Sequence, residues 1–146
     1  MTPDTRVVRQ AGFSWQCPFS RKELAAALDA MRQPCGLDAV PLELTLTDDA
    51  SISRINREFL GCRGPTNILS FPPRSGGGPA AASLVLSLDT LERECLLYGQ
   101  GVAEHTVRLL AHGMAHVGGY DHGPAMELVQ EAAFAAGKRA VGREAG

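Results

Sequence analysis

The sequence predicts an α+β protein, a single domain over residues 1–146 with a small mixed sheet packed by helices. Strand-like runs come early and helical runs late, around one βαββ core, which separates this pattern from a regular alternation of strands and helices. The length of 146 residues suits one domain with its own core and is short for two. The composition is globular, with 45% hydrophobic and 21% charged residues.

Taken in order, Thr5 to Gln10 reads as a short first strand. Ser20-Arg21-Lys22-Glu23 is a capping box. Behind it Leu24, Ala27, Leu28 and Met31 repeat at helical spacing, so a helix runs to about Arg32 and Pro34 and Gly36 break it. Leu42 to Thr47 alternates apolar and polar residues and predicts a half-buried strand. Asp48 or Asp49 caps a second helix that turns Ile52, Ile55 and Phe59 inward and stops at Gly61. Asn67 to Phe71 is a short strand ended by Pro72-Pro73, and Ser75 to Ala82 a flexible Gly/Ala/Pro-rich loop. Ser83 to Leu88 is an apolar strand, with Asp89 and Glu92 capping the helix after it. Val102 to Val117 is helical, and a last helix begins near Pro124 and fades toward the Gly- and Ala-rich end.

A net charge of -2 provides no global electropositive field, so any RNA partner has to be met by a local patch. The first residues lack the apolar stretch of a secretory signal, and no run is long enough to span a bilayer, so no membrane partner is expected. Cys17, Cys35, Cys62 and Cys95 form no C-x-x-C pair; unpaired thiols and a cytoplasmic location are the expectation.

The chemistry concentrates in His112-Gly113-Met114-Ala115-His116-Val117-Gly118-Gly119-Tyr120-Asp121-His122. All four histidines of the chain lie between 105 and 122. His112 and His116, four apart on a helix, share one face. His122 follows a Gly-Gly pair able to end the helix and turn the chain back. Three imidazoles with one position left over describe a catalytic metal site, with zinc the first choice and nickel or copper also compatible with the ligands. The spacing is zincin-like: it matches the ligand pattern of metzincins, with Gly119 where their turn glycine falls. Zinc peptidases, however, carry a general-base glutamate after the first histidine, and this chain has Gly113 there. Asp121 is either a carboxylate orienting a ligand or a turn residue closing the helix. His105, on the same helical stripe, either lines the cleft or is structural.

The run HGMAHVGGYDH resembles the H-G-x-L-H-L-x-G-Y-D-H signature of the YbeY family, rRNA maturation factors described as zinc-dependent single-strand endoribonucleases. A second stretch, Ile55 to Pro72, is similar to that family's L-N-x-x-Y-R-x-x-D-x-P-T-D/N-V-L-S-F-P segment. The resemblance implies one zinc ion per chain held by His112, His116 and His122. It also implies single-stranded rRNA as substrate and the small ribosomal subunit, with assembly proteins, as partners. Hydrolysis of phosphodiester bonds in 16S rRNA processing and ribosome assembly is the implied activity. The chain departs from the family pattern at four places. Leu60 replaces an arginine and Arg63 an aspartate; Ser83 replaces the aspartate of a G-D-I segment, and Arg108 a histidine. Arg57 and Arg63 are the candidates to supply the missing guanidinium, and Asp121 completes the candidate catalytic set. A non-catalytic, metal-containing ribosome-assembly factor and, on the zincin-like spacing, a metalloprotease are the alternative readings. Pro65 to Pro72 also has a structural reading in which Ile68 and Phe71 fill the core, and Thr66, Asn67 and Ser70 are candidates to face a substrate.

Overall fold

The computed structural model describes residues 3–10, 17–73 and 81–145. Its elements run β1 (Thr5–Arg9), α1 (Arg21–Cys35), β2 (Leu42–Thr47), α2 (Asp49–Leu60), β3 (Ile68–Phe71), β4 (Ala82–Ser87), α3 (Leu88–Tyr98), α4 (Val102–Val117) and α5 (Pro124–Ala145). The expected α+β class with a mixed sheet holds. The four strands lie in the order β1-β2-β4-β3, with β1, β2 and β4 parallel and β3 antiparallel at the edge.

Period-two alternation assigns side chains to faces. Leu42, Leu44, Leu46, Leu84, Leu86 and Ile68 point into the main core beneath α1 and α4. Leu69 and Val85 point the other way and meet Ile52 of α2 in a smaller cluster. α2 therefore covers the sheet face opposite α4. Leu110 and Met114 of α4 are fully buried, and burial of each such side chain contributes about 2 kcal/mol.

Local signals account for most boundaries. Ser20 accepts from the Glu23 amide while Glu23 reaches back to the Ser20 amide, the reciprocal cap expected of this tetrad. Asp48, rather than Asp49, caps α2 by accepting from Ser51 N–H, and Gly61 closes that helix at φ 67.

Five expectations are corrected. Pro34 does not break α1: it lies within the last turn, where the helix is already ending at the left-handed Gly36 and one missing amide matters little. Phe59 is not inward; it is 66% exposed and meets Phe71 edge-to-face with centroids 6.0 Å apart. β4 ends at Ser87, whose hydroxyl caps α3 by accepting from Thr90 N–H. Asp89 is thus inside the helix, and its carboxylate accepts the Asp49 amide across to α2. α5 does not fade but stays helical to Ala145, anchored by Ala133, Phe134, Ala140 and Val141. Most of the expected loop 75–82 lies outside the described residues, and Ala82 itself opens β4.

α4 lies against β3 and β4 at Gly113. A Cβ at that position would stand 2.9 Å from both Ile68 Cδ1 and Leu84 Cδ2 and 3.2 Å from Ser70 Oγ. Real Cβ contacts do not occur at the first distance, so the helix reaches the sheet this closely because residue 113 has no side chain. We predict that Gly113→Val costs about 2–3 kcal/mol through overpacking. Gly142→Ala on α5, where nothing lies within 4 Å of the added carbon, should gain about 0.5–1 kcal/mol. Urea unfolding of both variants checks this; a Gly113→Val midpoint equal to wild type would contradict the close approach.

Candidate metal centre

α4 has one half-buried stripe, formed by His105, Arg108, His112 and His116, while the positions between them are buried. The helix face that meets the sheet thus fixes which way the two histidines of the signature project. The chain then reverses. Gly118 passes so close to α1 that an added Cβ would sit 2.4 Å from the Cys35 carbonyl oxygen, and Gly119 adopts φ 94. Tyr120 N–H donates to the Ala115 carbonyl and closes the turn at 3.1 Å. This brings His122 back to the other two rings.

The three ring centroids lie 4.6 Å (His112–His116), 5.3 Å (His116–His122) and 5.8 Å (His112–His122) apart. Imidazoles bound through nitrogen to one tetrahedral zinc, at about 2.1 Å, would have centroids roughly 5 Å apart. As the rings stand, among the described residues no group of three or more His, Cys, Asp and Glu side chains is arranged to hold a metal ion. The two observations concern different things. Backbone and χ1 together set the centroid spacing, and that spacing suits a shared ion; rotation about χ2 turns each ring roughly in place and is what aims the nitrogens.

Two rings are already oriented by their neighbours. His112 Nδ1 pairs with Gln130 Oε1 of α5 at 3.0 Å, and His116 Nδ1 with the Tyr120 carbonyl oxygen at 3.1 Å. Both partners are acceptors, so each Nδ1 carries the proton and each Nε2 presents a lone pair, the tautomer a metal ligand needs. His122 is exposed, and the site is open to solvent on its side. Burial, aided by the neighbouring His112, pushes the His116 imidazole below its ordinary 6.5, against a smaller opposing effect of the Tyr120 carbonyl.

Asp121 is exposed, and its charge reaches His116; the groups bonded to the ring nitrogens are Gln130 and the Tyr120 carbonyl. Arg57 is exposed on α2, across the sheet, and Arg63 is exposed in the loop before β3. Among the described residues, no hydrogen bond or ion pair joins either arginine to the three histidines. Leu60 is 52% exposed at the end of α2. His105 is structural and also lines the cleft: its Nε2 lies 3.0 Å from Glu94 Oε1, tying α4 to α3, while its buried Nδ1 has no hydrogen-bond partner among the described residues. Asn67 is consumed by the fold, its amide nitrogen on both Glu94 oxygens and its oxygen on the Ile68 amide. Ser70 donates to the Gly113 carbonyl at 3.1 Å. The structural reading of Pro65 to Pro72 is therefore what these two residues show. Gln130 carried no sequence signal, being one polar position on a helix far from the motif.

Fold and site together define an α+β protein with an open, histidine-lined centre on one helix and its glycine turn. The family described as Endoribonuclease YbeY matches residues 16–135. A protein of that name from Nitratidesulfovibrio vulgaris is 47% identical over 139 residues, covering 82% of this chain and 86% of the relative. Another from Oleidesulfovibrio alaskensis is 41% identical, covering 87% and 86%. A Thermotoga maritima protein solved in solution shares the fold at a TM-score of 0.61 and 17% identity, covering 91% of this chain and 88% of that one. The chain belongs to the YbeY family.

The depressed His116 basicity has a stability consequence. In the unfolded chain this ring takes up a proton near 6.5; in the folded protein it does so at lower pH. The unfolded state binds more protons across that window, so metal-free protein should lose stability as pH falls through about 6.5. In His116→Gln this contribution should vanish. Urea midpoints of both proteins at pH values on either side check it; parallel pH dependences would contradict the assignment.

Proposed function

We propose that this chain is a zinc-dependent endoribonuclease that hydrolyses phosphodiester bonds of single-stranded RNA in 16S rRNA maturation. The observation that carries the reading is the gathering of three imidazoles at the spacing of one tetrahedral ion, two of them held with Nε2 available. The family membership and the names of the relatives support the same activity. The donor set fits zinc, one ion per chain: three neutral nitrogens with a fourth position open to solvent. His112, His116 and His122 hold it.

When bound, zinc supplies Lewis acidity that polarises a phosphoryl oxygen and balances charge developing on it. Gln130 and the Tyr120 carbonyl keep the two helix ligands in the ligating tautomer and fix the ring planes. The exposed His122 leaves the site reachable by an unpaired backbone, which splays open more readily than a duplex. Small-subunit rRNA and the assembling subunit, with its assembly proteins, are the proposed partners, and the cytoplasm the proposed location. No helix among the described residues is long and apolar enough to cross a membrane.

The second reading is a non-catalytic, metal-containing assembly factor. Leu60 and Ser83, in place of the family's arginine and aspartate, favour it, as does the absence of any described contact from Arg57 or Arg63 to the histidines. The peptidase reading loses its basis, because residue 113 faces Ile68 and Leu84 of the sheet; a carboxylate there would be buried without a partner.

Purified protein should carry one equivalent of zinc and cleave a single-stranded RNA but not the matching duplex. Chelator and His116→Ala should both abolish cleavage. Gln130→Leu should weaken zinc affinity by about 10- to 100-fold while leaving the fold intact. Cleavage that survives both chelator and His116→Ala would overturn the mechanism. Zinc at one equivalent with no cleavage would favour the assembly-factor reading.

A further inference from the structure

The half-buried stripe of α4 continues past the signature histidines to Arg108, one turn before His112. A cleft of roughly 260 Å³ opens along it, walled by Asn67, His105, Arg108, Leu109, His112 and Gln130. Three of these polar groups are already engaged, Asn67 and His105 by Glu94 and Gln130 by His112. Arg108 brings the only permanent positive charge to the wall, on a side chain 38% exposed.

Its present partners are weak ones. Arg108 Nη1 donates to Glu131 Oε1 at 3.1 Å, and Nη2 stands 3.9 Å from Glu104 Oε1. Those carboxylate side chains are 64% and 54% exposed, and such solvent-screened pairs are easily exchanged. The guanidinium is meanwhile stacked on Phe134, its carbon 4.0 Å from the ring centroid. Stacking fixes the plane of the fork, so less rotational freedom is lost when its edge takes two oxygens of one anion. A held guanidinium with exchangeable carboxylate partners suits a phosphodiester better than it suits a permanent brace.

We propose that Arg108 binds a backbone phosphate of the RNA strand in this cleft, next to the phosphate at the three histidines. The two positions are one helical turn apart, about 6 Å along the axis, which suits successive phosphates of an extended strand. Glu131 and Glu104 hold the guanidinium in register until the strand displaces them. The inference rests on the ribonuclease reading of the histidine site.

The test is the affinity of the zinc-loaded protein for a 2′-O-methyl RNA oligonucleotide, with zinc content and thermal midpoint measured for every variant. Arg108→Ala should raise Kd about 10-fold and reduce the salt slope by about one, zinc content unchanged. Arg108→Lys should fall between, keeping the charge without the fork, and serves if the alanine variant folds poorly. Glu131→Gln is the deciding arm. If Arg108 binds phosphate, removing its competitor should lower Kd two- to three-fold; if Arg108 is only a brace between α4 and α5, Glu131→Gln should weaken binding as Arg108→Ala does. Equal weakening by both, or no change in either, overturns the proposal. A wild type that binds through Arg108 yet cleaves nothing would overturn the catalytic reading alone.

Discussion

The contact of α4 with the β3–β4 edge at Gly113 is the constraint from which the site follows. A helix whose residue 113 carried a side chain would stand off the sheet, because Ile68 and Leu84 already occupy the space a Cβ needs. With the helix seated, residues one and three positions away can only project outward along the half-buried stripe, and these are His112 and His116. The sequence comparison with zinc peptidases treats Gly113 as a missing carboxylate. The packing gives it a positive role: its absence of side chain sets the height and rotation of the helix that carries His112 and His116.

Polar bonds then hold the seat. Ser70 bonds the carbonyl of Gly113 itself, Asn67 anchors the start of β3 to Glu94, and Glu94 reaches His105 on α4. Three elements, β3, α3 and α4, are joined through one carboxylate. The residues of the segment before Pro72 thus support the centre from beneath. At the other end of α4 the approach of Gly118 to Cys35 and the left-handed Gly119 fix the path on which His122 returns. Support of this kind fixes the backbone from which the three rings project.

Periodicity and caps made most of the fold legible. Leu42 to Thr47 and Val102 to Val117 were readable to the residue because their patterns are long and their ends bear polar or glycine punctuation. Phe59 misled because helical spacing marks an apolar face without saying how much will cover it; at the end of α2 it meets the Phe71 ring and stays largely exposed. Asp89 misled because Ser87, two residues earlier, offered an equally good cap inside a strand, and strand termini carry no signal of their own. The three histidines were legible since their spacing encodes a helix and a turn. Gln130 was not, because its relation to His112 exists only after α5 packs on α4. Nor could the sequence put Arg57 on the far side of the sheet, as that depends on which face α2 covers.

On the proposed function, this packing presents His112, His116 and His122 to one zinc through Nε2. X-ray absorption at the zinc edge of stoichiometrically loaded protein tests it most directly. Three imidazole nitrogens and one oxygen at about 2.0–2.1 Å, with the multiple scattering of histidine rings, is the expected first shell. Sulfur at about 2.3 Å, drawn from the unpaired cysteines, or a shell with fewer than three imidazoles, would contradict it.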